Sequence, residues 1–117
     1  MYKRQAEDSA CLKAALDAGE RVTLDQVGVF AEGVAVAQIG EVPFAIARDL
    51  IDDVITVNTD EMCAAVKDTF EDTRAVAETS GALALAGLKK YIQRSGAEGE
   101  TLPVSYTHLT LPTTPYV

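Results

Sequence analysis

The stretch from residue 77 to residue 91 constrains the fold more than any other part of this sequence. It reads AETSGALALAGLKKY, so one glutamate, Glu78, stands directly before a run of glycines, alanines and leucines at helical spacing. A helix with so few polar positions is normally buried, and this one is predicted to begin with Ser80 as its N-cap and to end at Gly96. Glu78 would then lie at the start of a buried helix. There its carboxylate either takes part in a reaction or only interacts favourably with the positive end of the helix dipole.

Helical and strand-like patterns alternate in the chain before this stretch. Apolar periodicity predicts helices at residues 9–18, 42–51 and 59–72, and β-branched residues predict a strand at residues 53–57. Residues 22–24 are predicted to be a short extended piece, and residues 27–36 two short strands around a glycine turn or bulge. This order favours the α/β class, with three layers and a mainly parallel sheet. Because so few strands make a poor sheet, the chain is expected to form part of a larger domain.

Single residues set the expected ends and inward faces of these helices. Asp8 or Ser9 is the predicted N-cap of the first helix and Gly19 its end, while Asn58 and Glu61 form a capping-box pattern for the third. The second and third helices are expected to turn apolar residues inward, namely Phe44, Ala47, Leu50, Ile51, Met62, Ala65, Val66 and Phe70. These faces would cover the strand at residues 53–57.

Composition excludes several classes of function. A chain of 117 residues with 48% hydrophobic and 24% charged residues suits one modest globular domain. A net charge of −8 disfavours nucleic acid and anionic membranes as partners. No apolar run approaches the roughly 20 residues of a membrane span.

The few metal-binding residue types are poorly placed for a site. Cys11 and Cys63 fall in apolar helical patterns and are predicted to be buried, reduced thiols of a cytoplasmic protein. His108 has no cysteine or histidine at ligand spacing, and Asp68 with Asp72 suits a solvated helix face. The prediction is therefore that the chain holds no metal.

Five segments of this sequence together resemble one enzyme family. They are AEDSACLKAAL at 6–16, FAEGVAV at 30–36, CAAVKD at 63–68, FEDTRAVAE at 70–78 and SGALALAGLKKYI at 80–92. With these segments the chain resembles the biosynthetic L-threonine dehydratases (threonine ammonia-lyases), which are pyridoxal-phosphate enzymes of fold type II. The resemblance implies part of the large domain of that fold, pyridoxal phosphate as cofactor, and a homo-oligomeric parent enzyme. The parent would convert L-threonine to 2-oxobutanoate and ammonia in isoleucine biosynthesis.

The resemblance carries two site residues over to this sequence. Gly33 resembles the glycine whose backbone lies against the pyridine ring of the cofactor, where a side chain would occupy the space of the ring. Glu78 resembles the glutamate that lies near the cofactor and is a candidate for proton movement there. The family usually has proline after that glutamate, whereas this chain has Thr79, so one restraint on the backbone of Glu78 is absent.

Other motifs of the family have no counterpart in the sequence. These are the Schiff-base lysine motif Ser-Phe-Lys-Leu-Arg-Gly, the Ser-Ala-Gly-Asn-His and Ser-Gly-Ala-Asn segments, the glycine-rich phosphate loop and the isoleucine-sensing domain. None of the lysines Lys13, Lys67, Lys89 and Lys90 stands in the lysine motif. The resemblance therefore implies that the isolated chain is inactive and does not bind the cofactor.

The two ends of the chain differ in composition from its middle. Residues 1–5 carry two basic residues, and residues 104–117 contain no Asp, Glu, Lys or Arg. Both ends resemble translated sequencing-adapter peptides, so they are predicted to be non-native tails, with residues 6–103 as a fragment of the catalytic domain. The alternative is a small, free-standing acidic α/β interaction module without catalysis.

Overall fold

The computed structural model describes residues 1–104 and 109–110, and its elements alternate between strands and helices. The strands are β1 (Tyr2–Ala6), β2 (Asp53–Val57), β3 (Val76–Ala77) and β4 (Leu109–Thr110). The α-helices are α1 (Cys11–Ala18), α2 (Glu41–Leu50), α3 (Thr59–Thr73) and α4 (Thr79–Ser95). Short 3₁₀ helices lie at Glu7–Ser9 and Glu32–Val34. No helix in this described part of the chain is long and apolar enough to cross a bilayer.

A parallel pair of strands forms the centre of the fold. β1 and β2 run side by side in register from Tyr2 opposite Asp53 to Ala6 opposite Val57. A second, antiparallel pair joins β3 to β4. The predicted α/β class with a parallel sheet is thereby confirmed.

Helices cover both faces of this sheet. On one face Val54 packs in a cluster with the apolar side chains of α1 and α2, which are Leu12, Ala15, Phe44 and Ala47. On the other face Val57 packs in a cluster with Met62 of α3 and Leu83 of α4. Val54 and Val57 point to opposite faces because neighbouring side chains alternate along a strand. The result is the expected order of three layers.

Strand β1 corrects one prediction about the N-terminal residues. Residues 1–5 are excluded from the predicted fold because they resemble a translated sequencing-adapter peptide. The backbone of these residues nevertheless pairs with β2, and Ala6 is 1% exposed in the core. A strand needs only its backbone groups for the ladder, so polar side chains do not prevent it. Residues 109–110 of the predicted C-terminal tail likewise pair with β3 as β4, and most of 104–117 lies outside the described residues. Whether either tail is native stays a prediction.

The region between α1 and α2 contradicts the strand predictions. Residues 22–24 and 27–36 form no strand, and the second segment holds the 3₁₀ helix Glu32–Val34 instead. The β-branched residues there favour a strand, but no neighbouring strand among the described residues offers backbone hydrogen-bond partners, so no sheet forms. A backbone hydrogen bond from Gly28 N to Asp8 O (3.0 Å) fixes this loop to the chain after β1.

Helix ends agree with the sequence prediction better at the C-terminus than at the N-terminus. Gly19 and Gly96 end α1 and α4 in the left-handed conformation, with φ of 75° and 66°. The Asn58–Glu61 capping box of α3 is also present. The cap of α1 was predicted wrongly: Asp8 and Ser9 belong to a 3₁₀ helix, and α1 begins after Ala10 without a side-chain cap.

Three predicted inward side chains are exposed. Leu50 and Phe70 have 61% and 44% of their surface accessible, because each lies on the outer side near the end of its helix. Cys63 is also exposed, contrary to prediction, whereas Cys11 is buried, and both thiols are free as predicted. The remaining inward positions of α2 and α3 are buried or half-buried.

Candidate functional site

Glu78 is the residue that joins β3 to α4. It is the N-cap of α4, with an extended backbone (φ −69°, ψ 165°), and its carboxylate makes no capping hydrogen bond. Ser80 was predicted to be the cap, which is wrong: the helix already begins at Thr79, so Ser80 lies in its first turn and is only 7% exposed. The carboxylate of Glu78 is exposed and is not committed to the helix backbone.

A short turn carries Gly33 to the same place. The 3₁₀ helix Glu32–Val34 is closed by hydrogen bonds from Val34 N to Ala31 O (3.0 Å) and from Ala35 N to Glu32 O (3.2 Å). Ala31 is 3% exposed and packs in the core cluster that contains Leu83 of α4. The turn is therefore seated on α4, and Gly33 faces the start of that helix.

The structure brings Gly33 and Glu78 together. A methyl group built on Gly33 would lie 3.4 Å from Glu78 Oε1 and 2.9 Å from Ser80 Oγ. The second distance is too short for a real side chain, so a larger residue at this position would displace Ser80. Protein packing thus gives its own reason for glycine here, independent of any ligand.

A cavity of about 470 Å³ opens beside this contact. It lies between the Gly33 turn, the first turns of α4, and the β1–α1 segment. Its polar and charged lining residues are Lys3, Arg4, Gln5, Ser9 and Ser80. Gly33 and Ser80 line the cavity, whereas Glu78 is outside its lining and is placed at its edge by the contact with Gly33.

Sequence reasoning missed the contribution of β1 to this cavity. Gln5 accepts a hydrogen bond from Lys13 N (2.9 Å) at its Oε1, and its Nε2 lies 3.8 Å from the sulfur of Cys11. The side chain therefore fixes the end of β1 to the start of α1. The predicted tail at residues 1–5 leaves Lys3, Arg4 and Gln5 out of the site, and their polar side chains give no strand pattern that would place them there.

Acidic residues do not assemble a metal centre in the part of the chain that the structure describes. Groups of three or more His, Cys, Asp or Glu residues that could hold a metal do not occur there. Asp68 forms an ion pair with Lys89 instead of joining Asp72, and His108 lies outside the described residues. The prediction of no metal stays a prediction.

Known proteins resemble the chain in both sequence and fold. The family model described as "Pyridoxal-phosphate dependent enzyme" matches residues 1–105. L-threonine dehydratase biosynthetic IlvA of Escherichia coli (strain K12) is 63% identical over 98 residues, which are 84% of this chain and 19% of that protein. The mitochondrial threonine dehydratase of Saccharomyces cerevisiae is 54% identical over 85 residues, 73% of this chain and 15% of that protein.

Solved structures agree with these relatives. The processed form of threonine deaminase isoform 2 from Solanum lycopersicum superposes with a TM-score of 0.83 and 38% identity, covering 85% of this chain and 29% of that one. Maize serine racemase gives a TM-score of 0.74 at 28% identity, covering 81% of this chain and 30% of that one. The chain thus spans about a fifth of the length of the curated E. coli relative and less than a third of these solved chains.

Proposed function

The chain belongs to the family of pyridoxal-phosphate-dependent enzymes, and from that premise we propose that it forms one wall of the cofactor site of a threonine ammonia-lyase. The complete enzyme would convert L-threonine to 2-oxobutanoate and ammonia in isoleucine biosynthesis, act in the cytoplasm and assemble from identical subunits. The other walls, including the lysine that holds the cofactor, would come from residues outside these 117. We further propose that the 117-residue chain alone neither binds pyridoxal phosphate nor turns over threonine.

The observation that carries this proposal is the meeting of Gly33 and Glu78 at the edge of the cavity. The volume of about 470 Å³ lies within the range of roughly 300–1,000 Å³ that is usual for small-molecule sites. Gly33 has no side chain, and glycine is the residue that lets a backbone approach a ligand closely. The residues present therefore fit one side of a pyridoxal-phosphate site.

Each residue has a separate task in the proposed site. Pyridoxal phosphate, when bound, supplies an electron sink for negative charge that develops on the amino-acid substrate. Gly33 would present its backbone to the ring, and Ser80 occupies the space that a side chain at Gly33 would need. Glu78 Oε1, which is exposed at the cavity edge and free of capping bonds, holds or moves a proton beside the ring.

The isolated chain gives the first test. Purified protein is mixed with pyridoxal phosphate and L-threonine, and cofactor absorbance and 2-oxobutanoate are followed over time. The expected result is the spectrum of free cofactor and no 2-oxobutanoate above a blank. Formation of 2-oxobutanoate in proportion to protein concentration would refute the proposed inactivity.

A chimeric enzyme tests the role of the segment directly. Residues 6–103 of this chain replace the matching segment of the E. coli relative, to which this chain is 63% identical over 98 residues, and 2-oxobutanoate formation is measured. We expect an active chimera, in which Glu78→Gln lowers kcat/KM by about 100-fold, a usual effect of losing a proton-transfer group. Glu71→Gln, an exposed carboxylate on α3, is the matched control and should change kcat/KM less than two-fold, roughly the scale of a neutral surface substitution. Equal effects of the two substitutions would contradict the assignment of Glu78.

A further inference from the structure

Thr79 connects the first turn of α4 to the loop that carries Gly33. Its hydroxyl oxygen Oγ1 donates a hydrogen bond to the backbone carbonyl of Phe30 over 2.8 Å. The two residues are 49 positions apart in sequence, so the bond joins two separate parts of the fold. Thr79 itself lies next to Glu78, and Phe30 lies three residues before Gly33.

The loop at residues 20–40 has few other attachments. Its regular structure is limited to the 3₁₀ helix Glu32–Val34. Of the side-chain hydrogen bonds formed by the described residues, the one from Thr79 is the only one that reaches residues 20–40. Backbone bonds to the rest of the fold come from Gly28, which bonds to Asp8, and from Gly40, the carbonyl of which accepts from Phe44 at the start of α2.

Apolar packing restrains the direction of the turn along α4 less than a hydrogen bond does. Ala31 and the half-buried Val34 pack on the core, but such small apolar contacts do not fix direction along a helix surface. A hydrogen bond does fix direction, because its strength falls steeply with distance and angle. The hydroxyl of Thr79 therefore supplies a directional contact between the turn and the start of α4.

We propose that Thr79 is a positioning residue, the hydroxyl of which holds the Phe30–Val34 turn so that Gly33 stays against Glu78. The proposal rests on the function proposed above, in which Gly33 and Glu78 form one wall of the cofactor site. A threonine at this place restrains both partners at once: its backbone follows that of Glu78, and its side chain holds the loop of Gly33. The hydroxyl does not take part in the chemistry itself.

Amide hydrogen exchange in the 117-residue chain tests the attachment without any cofactor. Thr79→Val keeps the shape of the side chain and removes the donor, and Thr79→Ser restores a hydroxyl. With Thr79→Val we expect the amides of Val34 and Ala35 to exchange roughly five-fold faster, the ratio that corresponds to one hydrogen bond of ordinary net strength. Thr79→Ser should bring exchange back to within about two-fold of the unchanged protein, since it keeps the hydrogen bond.

Thr73 supplies the matched control. Its hydroxyl also donates to a backbone carbonyl, that of Thr69 (2.6 Å), and it accepts from Ala75 N (3.2 Å), so both bonds lie outside the loop at residues 20–40. Thr73→Val should leave exchange at Val34 and Ala35 unchanged. The proposal is overturned if Thr79→Val leaves these two amides unchanged, or if Thr73→Val accelerates them equally.

The chimeric enzyme described above provides a functional readout. Thr79→Val should lower kcat by roughly five-fold with a smaller change in KM, because the turn is misplaced in only part of the molecules, and Thr79→Ser should restore the rate. In a chimera that already carries Glu78→Gln, Thr79→Val should have little further effect, since the group that it positions is gone. Full additivity of the two substitutions would refute the positioning role. An inactive chimera with Thr79 intact, together with the expected exchange pattern, would refute the proposed function and leave the attachment established.

Discussion

Substitution of Gly87 by alanine tests the placement of β1 on α4. Gly87 is buried in the middle of α4, and the side chain of Arg4 from β1 lies directly over it. A methyl group built on Gly87 would lie 2.1 Å from Arg4 Cγ, 3.1 Å from Cβ and 3.2 Å from Cδ. The first distance is impossible, and Cγ is too close to the strand backbone to move away freely.

Two opposing free energies set the expected size of the effect. Forcing an extra methyl group into a packed contact costs about 1–3 kcal/mol, for which we take about 2. Replacing glycine by alanine inside a helix stabilises the fold by about 1 kcal/mol, because alanine loses less backbone entropy on folding. Gly87→Ala should therefore lower the free energy of unfolding by about 1 kcal/mol. After Arg4→Ala has removed Cγ and Cδ, the Cβ atom at 3.1 Å still crowds the new methyl group by about 0.5 kcal/mol, so the same change should raise the free energy of unfolding by about 0.5 kcal/mol.

The assay is urea unfolding of the four proteins of this cycle, followed by far-ultraviolet circular dichroism. The coupling free energy between Arg4 and Gly87 should be about 1.5 kcal/mol. Substitutions at independent sites deviate from additivity by only roughly 0.3–0.5 kcal/mol. Lys3→Ala, one position along the strand and on its opposite face, replaces Arg4→Ala as the control and should give no coupling. A coupling near zero for Arg4 would refute the contact and with it the assignment of residues 2–6 to the sheet.

Three further measurements address the core, the helix cap and one ion pair. Met62→Ala should lower the free energy of unfolding in urea by about 3 kcal/mol, because Met62 is 1% exposed. Phe70→Ala should lower it by less than about 1 kcal/mol, because Phe70 is 44% exposed. The reverse order would contradict the orientation of α3. Asn58→Ala should cost about 1 kcal/mol through loss of the capping box, and Asn58→Asp should retain most of it. The N-terminal ammonium of Met1, through a hydrogen bond and its charge, lowers the pKa of the Asp52 carboxyl below the ordinary value of 3.8. The pair therefore stabilises the fold above pH 3.8, and this stabilisation is lost as the pH falls through the lowered pKa of Asp52. Carboxyl-carbon NMR titration should show the lowered midpoint, and acetylation of the amino terminus should raise it towards 3.8.

The elements that could be predicted are those with strong local signals. β2 was predicted with its observed bounds because a run of β-branched residues fits a strand that is covered on both faces. The cap of α3 followed from Asn58 and Glu61, and the ends of α1 and α4 followed from Gly19 and Gly96. In each case one short stretch of sequence decides the structure.

The elements that escaped prediction depend on distant partners. β1 is a strand only because β2 offers a ladder 51 positions further along, and its own side chains are mostly polar. The turn at Glu32–Val34 is held by α4, so its β-branched neighbours gave a misleading strand signal. The same limit applies to the candidate site: family resemblance assigned Gly33 and Glu78, but their contact and the hydroxyl bond of Thr79 became visible only in three dimensions.

The parallel pairing of β1 with β2 has a consequence for how the chain folds. Tyr2 pairs with Asp53, so the chain between them must close into a loop before the first backbone hydrogen bond of the sheet can form. That loop contains α1, residues 20–40 and α2. Closing a loop of this length costs about 3.5 kcal/mol in chain entropy by the logarithmic scaling of loop closure. Long-range parallel pairing of this kind slows folding, because the entropy is lost before the contacts form. During synthesis β1 emerges before β2 and has to wait for it, so we expect the backbone amides of the two strands to become protected from hydrogen exchange together.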